Sequence, residues 1–208
     1  MTIKLKVCGM RNAANIGELV KARPDYIGFI FYKKSPRYAG DELKPESAGL
    51  VPENIKKIGV FVNEDVQTVI ETARKYGLEG VQLHGNESPE ECRQVAAAGF
   101  LAIKALQIEP GFDFNLAKEY ERDVDYFLFD TKSSGFGGSG VAFDWNILEQ
   151  YDLDVPFFLS GGVEESMADE INRLTHSRLY GIDINSRFET SPGIKDIRKI
   201  RAFKEKLR

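Results

Sequence analysis

Short apolar segments alternate with amphipathic segments along the whole chain. The apolar segments are rich in Val, Ile, Phe and Leu, and several contain no charged residue, which is typical of parallel strands covered on both faces. There are eight of them, and in chain order they are Ile3 to Val7, Tyr26 to Phe31, Ile58 to Val62, Gly80 to Leu83, Leu101 to Ala105, Tyr126 to Phe129, Phe157 to Leu159 and Leu179 to Ile184. Each segment is followed by enough chain for one helix. The pattern therefore predicts an α/β fold, a (β/α)₈ TIM barrel.

The segments between the predicted strands carry helix start and stop signals. Ser88 to Glu91 reads Ser-Pro-Glu-Glu, a capping box with proline at the first helical position. Glu64 and Asp65 place carboxylates at the start of a helix that we expect to stop at Gly77. Ser191-Pro192 predicts the start of the last helix.

Domain organisation is simple by the same pattern. No linker or low-complexity segment interrupts the alternation, so we expect one barrel domain over residues 1–208. An open doubly wound sheet is the alternative. That fold usually has a glycine-rich dinucleotide-binding turn after the first strand, and this chain has Cys8-Gly9-Met10-Arg11 there instead.

Composition limits the classes of function. With 42% hydrophobic and 29% charged residues, the chain has the profile of an ordinary globular protein. No apolar run approaches the roughly 18 residues that cross a bilayer, so we expect no membrane association. A net charge of −4 disfavours nucleic-acid binding. Two cysteines and a strand at the N-terminus indicate a reducing compartment, so we expect a cytoplasmic protein.

Two candidate catalytic groups end predicted strands. Cys8 follows the first strand and Asp130 follows the sixth, at the end of a barrel where catalytic residues lie. The two strands are three steps apart around the ring, so a thiol base and a carboxyl acid could flank a substrate. Lys6 projects to the same face as Cys8 and would lower the pKa of the thiol, unless Asp183 on the eighth strand neutralises it.

Two further loops predict a phosphate site. The segments Ser160 to Val163 and Asp183 to Arg187 follow the seventh and eighth strands, where barrels commonly bind phosphate. Gly161 and Gly162 allow the backbone to approach phosphate oxygens closely. A phosphorylated small molecule is therefore the expected ligand.

Other residues near the predicted mouth have candidate roles in binding. Arg37, in the loop after the second strand, could clamp a carboxylate in bidentate fashion. His84 follows the fourth strand and is expected to line the site. The glycine-rich segment from Thr131 to Gly140 is expected to form a flap beside Asp130.

Several of these motifs occur in a known order. Lys6 to Met10, Gly28 to Phe31, Ser35 to Tyr38, Gly59 to Val62, Val81 to Gly85, Phe129 to Thr131 and Ser160 to Gly162 resemble the phosphoribosylanthranilate isomerase family of tryptophan biosynthesis. The resemblance extends over essentially the whole chain.

The resemblance implies an Amadori rearrangement without metal or organic cofactor. N-(5-phosphoribosyl)anthranilate would become 1-(2-carboxyphenylamino)-1-deoxyribulose 5-phosphate, with Asp130 as the acid and Cys8 as the base. Arg37 would hold the anthranilate carboxylate, and Gly161, Gly162, Asp183 and Ser186 would belong to the substrate site. The resemblance also leaves open a homo-oligomer or an association with other tryptophan-pathway enzymes.

One position departs from the family pattern. Arg187 follows Ser186 where family members carry glycine. Either the backbone is ordinary there, or the guanidinium contributes to binding the phosphate or a neighbouring acid.

Two alternatives stay open at the level of sequence. The related isomerase of histidine biosynthesis performs the same chemistry on a substrate with two phosphates, and it typically has a carboxylate at the position of Cys8. A barrel that binds a phosphosugar without turning it over is the other. A metal-dependent phosphosugar epimerase fits less well, because the chain has only two histidines, His84 and His176.

Overall fold

A computed structural model describes residues 2–131 and 144–207, and these form a closed barrel of eight parallel strands with helices outside it. The strands of the barrel are β1 (Lys4–Val7), β2 (Tyr26–Ile30), β3 (Lys56–Phe61), β4 (Gly80–Leu83), β5 (Leu101–Ile108), β6 (Tyr126–Thr131), β7 (Phe157–Leu159) and β8 (Leu179–Ile184). The ring closes by pairing β1 with β8, so that Lys6 lies opposite Asp183. The predicted fold class is confirmed.

In the described residues an α-helix follows every strand of the barrel except β6, which is followed by a 3₁₀ segment, Trp145–Gln150. The α-helices are α1 (Ala13–Val20), α2 (Pro45–Ala48), α3 (Val66–Lys75), α4 (Pro89–Ala97), α5 (Asn115–Lys118), α6 (Ala168–Ile171) and α7 (Ile197–Lys206). The Ser88 hydroxyl and the Glu91 carboxylate form the expected capping box of α4. Asp65 caps α3 by accepting from the N–H groups of Gln67 and Thr68, and Gly77 has a φ of 57° just beyond the helix.

The predicted start of the last helix is wrong. Ser191 ends a short strand, β9 (Glu189–Ser191), which pairs antiparallel with β10 (Ile194–Lys195). Proline followed by a glycine of positive φ favours a tight turn, and Gly193 has a φ of 83°. Helix α7 begins after this hairpin, where Asp196 accepts from the N–H groups of Arg198 and Lys199. The hairpin has consequences for the site.

The apolar interior has two parts. A large cluster fills the layer between the strands and the helices. A smaller cluster inside the barrel contains Ile58, Ile103, Leu128 and Phe158, with tyrosines at its edge. Because Tyr26 and Tyr126 begin their strands, this cluster closes the N-terminal end of the barrel and leaves the C-terminal end for polar side chains.

Candidate active site

One pocket, with about 740 Å³ of empty space, lies at the C-terminal mouth of the barrel. The nine residues predicted from the sequence all line it: Cys8, Arg37, His84, Asp130, Gly161, Gly162, Asp183, Ser186 and Arg187. They come from six different strands or the loops after them, and the closed ring brings them together.

The Cys8 thiol is buried against the adjacent strand. The Cys8 N–H donates to the carbonyl of Ile184 at 2.9 Å, which continues the β1–β8 ladder to the mouth. A Cβ atom at Gly28 would lie 2.7 Å from Sγ of Cys8, so only glycine leaves room for the thiol there. Burial raises the pKa of Cys8, and this outweighs the opposing charges of Lys6 and Lys195. The expected lowering of that pKa is therefore wrong, and Cys8 is a thiol at neutral pH.

Lys6 and Asp183 form a buried ion pair below the thiol. Their side chains are 0% and 6% exposed, and Nζ of Lys6 lies 2.9 Å from Oδ1 of Asp183. Burial alone would lower the pKa of Lys6, but the Asp183 carboxylate and the Cys8 thiol raise it above its usual value. Asp183 thus pairs with Lys6 as suspected, and its carboxylate adds to the burial that raises the pKa of Cys8.

Asp130 lies across the mouth, where one carboxylate oxygen accepts a hydrogen bond and the other faces His84. Its Oδ1 accepts from the N–H of Thr131 at 2.9 Å, and its Oδ2 lies 3.3 Å from Nε2 of His84. The other ring nitrogen of His84, Nδ1, is 2.6 Å from the amide nitrogen of Gln82. A carboxyl group held in this way keeps a fixed orientation towards the pocket, and the carboxylate left after it gives up a proton has partners in place.

The loops after β7 and β8 form the predicted phosphate end. Gly161 and Gly162 have φ values of 87° and 65°, and a Cβ at Gly161 would lie 2.2 Å from the Thr131 hydroxyl. The backbone at both positions therefore favours glycine, and at Gly161 a side chain would also clash with Thr131. Ser186 and Arg187 lie in a single 3₁₀ turn, Ser186–Phe188. Among the described residues, the non-glycine positive φ values belong to Arg23 and Asn63, so the backbone at Arg187 is ordinary. Its side chain lines the pocket.

Arg37 lines the pocket but also has a protein partner. Its Nε and Nη2 atoms donate to both carboxylate oxygens of Glu189, at 2.7 to 3.0 Å. A Cβ at Gly9 would lie 2.8 Å from Cδ of Arg37, so that glycine leaves space for the arginine stem. Arg37 therefore holds a carboxylate in bidentate fashion, but that carboxylate belongs to Glu189, and its binding of a ligand carboxylate stays a prediction.

Sequence reasoning missed several residues of this site. Gln82 was within reach, because strand alternation places it on the same side as His84. Glu189 and Lys195 lie on the hairpin that the sequence had assigned to a helix start, so no pattern directed them to the mouth. Side chains of Ile30, Val60 and Val62 add an apolar wall to the pocket.

Other features of the described chain bear on possible ligands. No group of three His, Cys, Asp or Glu side chains in residues 2–131 and 144–207 is arranged to hold a metal ion. In the same ranges, no helix is long and apolar enough to cross a membrane. Of the predicted flap, only Thr131 is described, and residues 132–140 lie outside the described ranges.

Comparisons with known proteins agree with this geometry. The family model described as N-(5'phosphoribosyl)anthranilate (PRA) isomerase matches residues 5–206. A protein of that name from Parabacteroides distasonis is 45% identical over 207 residues, which is 98% of this chain and 92% of the relative.

Solved structures show the same similarity. A phosphoribosyl anthranilate isomerase in complex with reduced 1-(o-carboxyphenylamino)-1-deoxyribulose 5-phosphate is 31% identical, with a TM-score of 0.82 over 98% of this chain and 97% of that one. Monomers generated from the dimeric enzyme of Thermotoga maritima are also 31% identical, with a TM-score of 0.81 and the same coverage.

Proposed function

The chain belongs to the N-(5'-phosphoribosyl)anthranilate isomerase family, and we propose that it catalyses the family's Amadori rearrangement in tryptophan biosynthesis through Asp130 and Cys8. The observation that carries this proposal is the arrangement of the mouth. A carboxyl group that accepts from a backbone N–H and faces His84 lines one pocket with a buried thiol, an arginine and two positive-φ glycines.

The first step opens the sugar ring. Asp130 donates its proton to the ring oxygen, the bond between that oxygen and C1 breaks, and the nitrogen lone pair forms a protonated Schiff base with C1. The resulting Asp130 carboxylate is held by the Thr131 N–H and faces Nε2 of His84. Developing negative charge at the acid thus meets groups that are already oriented.

The second step moves a proton from C2. The Cys8 thiolate removes it, the electron pair of the C2–H bond forms the C1–C2 double bond, and the electron pair of the C–N double bond returns to nitrogen. The enolamine then tautomerises to the ketose. Because burial favours the thiol in the resting protein, the thiolate is a minor form at neutral pH, and the charges of Lys6 and Lys195 favour it locally.

The substrate has two anionic groups, and different residues of the pocket hold each of them. Arg37 holds the anthranilate carboxylate, and the apolar wall of Ile30, Val60 and Val62 accommodates the aromatic ring. Backbone N–H groups at Gly161 and Gly162 bind the phosphate, with the guanidinium of Arg187 adding positive charge. Since the protein has a net charge of −4, these local groups must supply the attraction.

The setting of the protein follows from the same family. Both cysteines are free and buried, which fits a reducing cytoplasm, and we place the enzyme there as one barrel domain. A homo-oligomer is proposed from the similarity to an enzyme that is named as dimeric.

The test is turnover of phosphoribosylanthranilate that is generated in situ and followed by loss of its anthranilate fluorescence. We expect loss well above spontaneous hydrolysis, with the aminodeoxyribulose phosphate as the product identified by mass. The aminoimidazole substrate of the histidine pathway serves as the comparison and should be consumed more slowly. If a well-folded protein gives no loss of fluorescence above the rate of spontaneous hydrolysis, it is not this isomerase. The alternative of a barrel that binds a phosphosugar without turning it over would then remain.

A further inference from the structure

The hairpin of β9 and β10 carries two buried charges that contact residues lining the pocket. Glu189 begins the hairpin and Lys195 ends it, and their side chains are 4% and 0% exposed. Nζ of Lys195 donates to Oε1 of Glu189 at 2.6 Å and to the side chain of Asn185 at 2.7 Å. Asn185 directly precedes the 3₁₀ turn of the predicted phosphate end. The hairpin therefore connects that end of the pocket to Glu189.

Glu189 in turn fixes one side of Arg37. Its two oxygens accept from Nε and Nη2, which is the side-on mode of carboxylate binding by a guanidinium. Among the residues that the structure describes, no hydrogen bond engages Nη1. Nη2 carries two N–H groups, so a second carboxylate can still bind end-on, through Nη1 and the outer N–H of Nη2.

The charges of Arg37, Lys195 and Glu189 together favour the binding of a second anion. Arg37 and Lys195 carry two positive charges and Glu189 one negative charge, so one positive charge remains for a ligand. Burial alone would raise the pKa of Glu189, but its hydrogen bond to Arg37 and the charge of Lys195 hold that pKa below its usual value. Burial lowers the pKa of Lys195, and the Glu189 carboxylate only partly opposes this. Glu189 is thus a permanent anion at neutral pH.

We propose that Glu189 is a positioning residue for substrate binding: it holds Arg37 side-on, so that the guanidinium presents its end-on edge to the substrate carboxylate. This inference rests on the proposed function, because it assigns the mode in which Arg37 binds the anthranilate group. Three other hydrogen bonds also attach the hairpin to the barrel: Asn15 exchanges two with the backbone of Lys195, and Arg11 donates one to the carbonyl of Pro192.

Glu189→Gln tests the role, because glutamine keeps the shape but has no charge and replaces one of the two acceptor oxygens with an NH2 group, which is a donor. Two ligands are compared: reduced 1-(o-carboxyphenylamino)-1-deoxyribulose 5-phosphate, and the same compound without the ring carboxylate. We expect the affinity for the carboxylated ligand to fall about ten- to a hundredfold, and that for the other ligand to change less than about threefold. KM should rise more than kcat falls.

Glu79→Gln is the matched control. It removes the carboxylate of another partly buried ion pair, Lys57–Glu79, at the opposite end of the barrel. It should leave both affinities unchanged. In the background of Arg37→Ala, Glu189→Gln should produce no further loss of preference for the carboxylated ligand, because Glu189 acts through Arg37.

Each other outcome overturns the positioning role. An equal loss of affinity for both ligands would mean that Glu189 merely supports the fold, and no loss for either would mean that Arg37 needs no partner. If the wild type itself binds both ligands equally, Arg37 does not bind the substrate carboxylate, and the positioning role of Glu189 is overturned as well. That result is distinct from one in which the wild type prefers the carboxylated ligand and Glu189→Gln keeps the same preference. In the second case only the positioning role of Glu189 is overturned. If Glu189→Gln does not fold, Glu189→Asp withdraws the carboxylate by one methylene and should show the same selective loss.

Discussion

The two ends of the barrel are built from the same strands but have opposite interiors. At the N-terminal end, Tyr26, Tyr126 and Tyr180 surround Phe158, and the hydroxyls of Tyr26 and Tyr180 lie 2.7 Å apart. At the C-terminal end, the interior side chains include a thiol, a carboxyl group and a buried ion pair. We call the four aromatic residues Tyr26, Tyr126, Phe158 and Tyr180 the plug. Only a few residues along each strand separate the plug from the pocket.

The two ends therefore contribute differently to the stability of the fold. Buried charged groups lose hydration that an ion pair restores only in part, so the mouth stabilises the fold little. Aromatic and aliphatic burial at the other end supplies the stability that such a mouth needs. We therefore expect substitutions at the mouth to change turnover with little change in stability, and substitutions at the plug to do the reverse.

The largest expected effect is the loss of the thiol. Cys8→Ser should lower kcat about 10²- to 10⁴-fold, because a serine hydroxyl is a far poorer base at the same position. Cys92→Ser is the matched control, since Cys92 is also buried but lies in α4, away from the pocket. Steady-state turnover is the measurement. Similar losses of kcat in Cys8→Ser and Cys92→Ser would show that the loss does not depend on the position of Cys8 in the pocket.

At the plug we expect a loss of stability that is similar in free energy to the loss of catalysis in Cys8→Ser. Phe158→Ala should lower the free energy of unfolding by about 3 to 5 kcal/mol, since Phe158 is fully buried and the cavity cannot collapse against rigid strands. Denaturant unfolding measures this loss. At a temperature where the variant stays folded, its kcat should match the wild type, and a large loss of kcat would contradict the division between the two ends.

The resting state of the thiol gives a third, smaller effect. Because burial raises the pKa of Cys8 above its ordinary value of 9.0, the thiolate fraction should increase about tenfold per pH unit from neutral pH upwards. The rate of alkylation by iodoacetamide should rise with that slope and disappear in Cys8→Ser. A rate that is already at its plateau at pH 7 would mean that Lys6 activates the thiol after all.

The smallest effect concerns one hydrogen bond of the plug. Tyr180→Phe removes a hydroxyl that lies 2.7 Å from that of Tyr26. The free energy of unfolding should fall by about 1 kcal/mol, the usual net contribution of such a bond. Turnover should not change. A larger effect on kcat than on stability would show that the two ends are coupled.

The fold and most of the mouth follow from local signals. Eight apolar segments predict the ring, and the ring then determines that Cys8 and Asp130 share one end, because the residues after parallel strands meet there. Boundaries were less accurate: β5 extends to Ile108, beyond the predicted Ala105, because it keeps pairing with β6 as far as Thr131.

The remainder depends on contacts that no local pattern reports. Ser191-Pro192 is compatible with both a helix start and a turn, and Gly193 resolves the ambiguity in favour of a turn. That choice decides where Glu189 and Lys195 lie, and hence what Arg37 contacts. The protonation of Cys8 is a balance between burial and three nearby charges, so the position of Lys6 alone predicted the wrong direction.

The division between the two ends is tested most directly at the acid. Asp130→Asn keeps the shape of the side chain but has no proton of suitable acidity, and loss of anthranilate fluorescence compares its turnover with the wild type under the same conditions. We expect turnover about 10²- to 10⁴-fold lower, with the melting temperature and the binding of the reduced product analogue nearly unchanged. Wild-type turnover in Asp130→Asn would show that the proton comes from elsewhere, and that the mouth does not work as described.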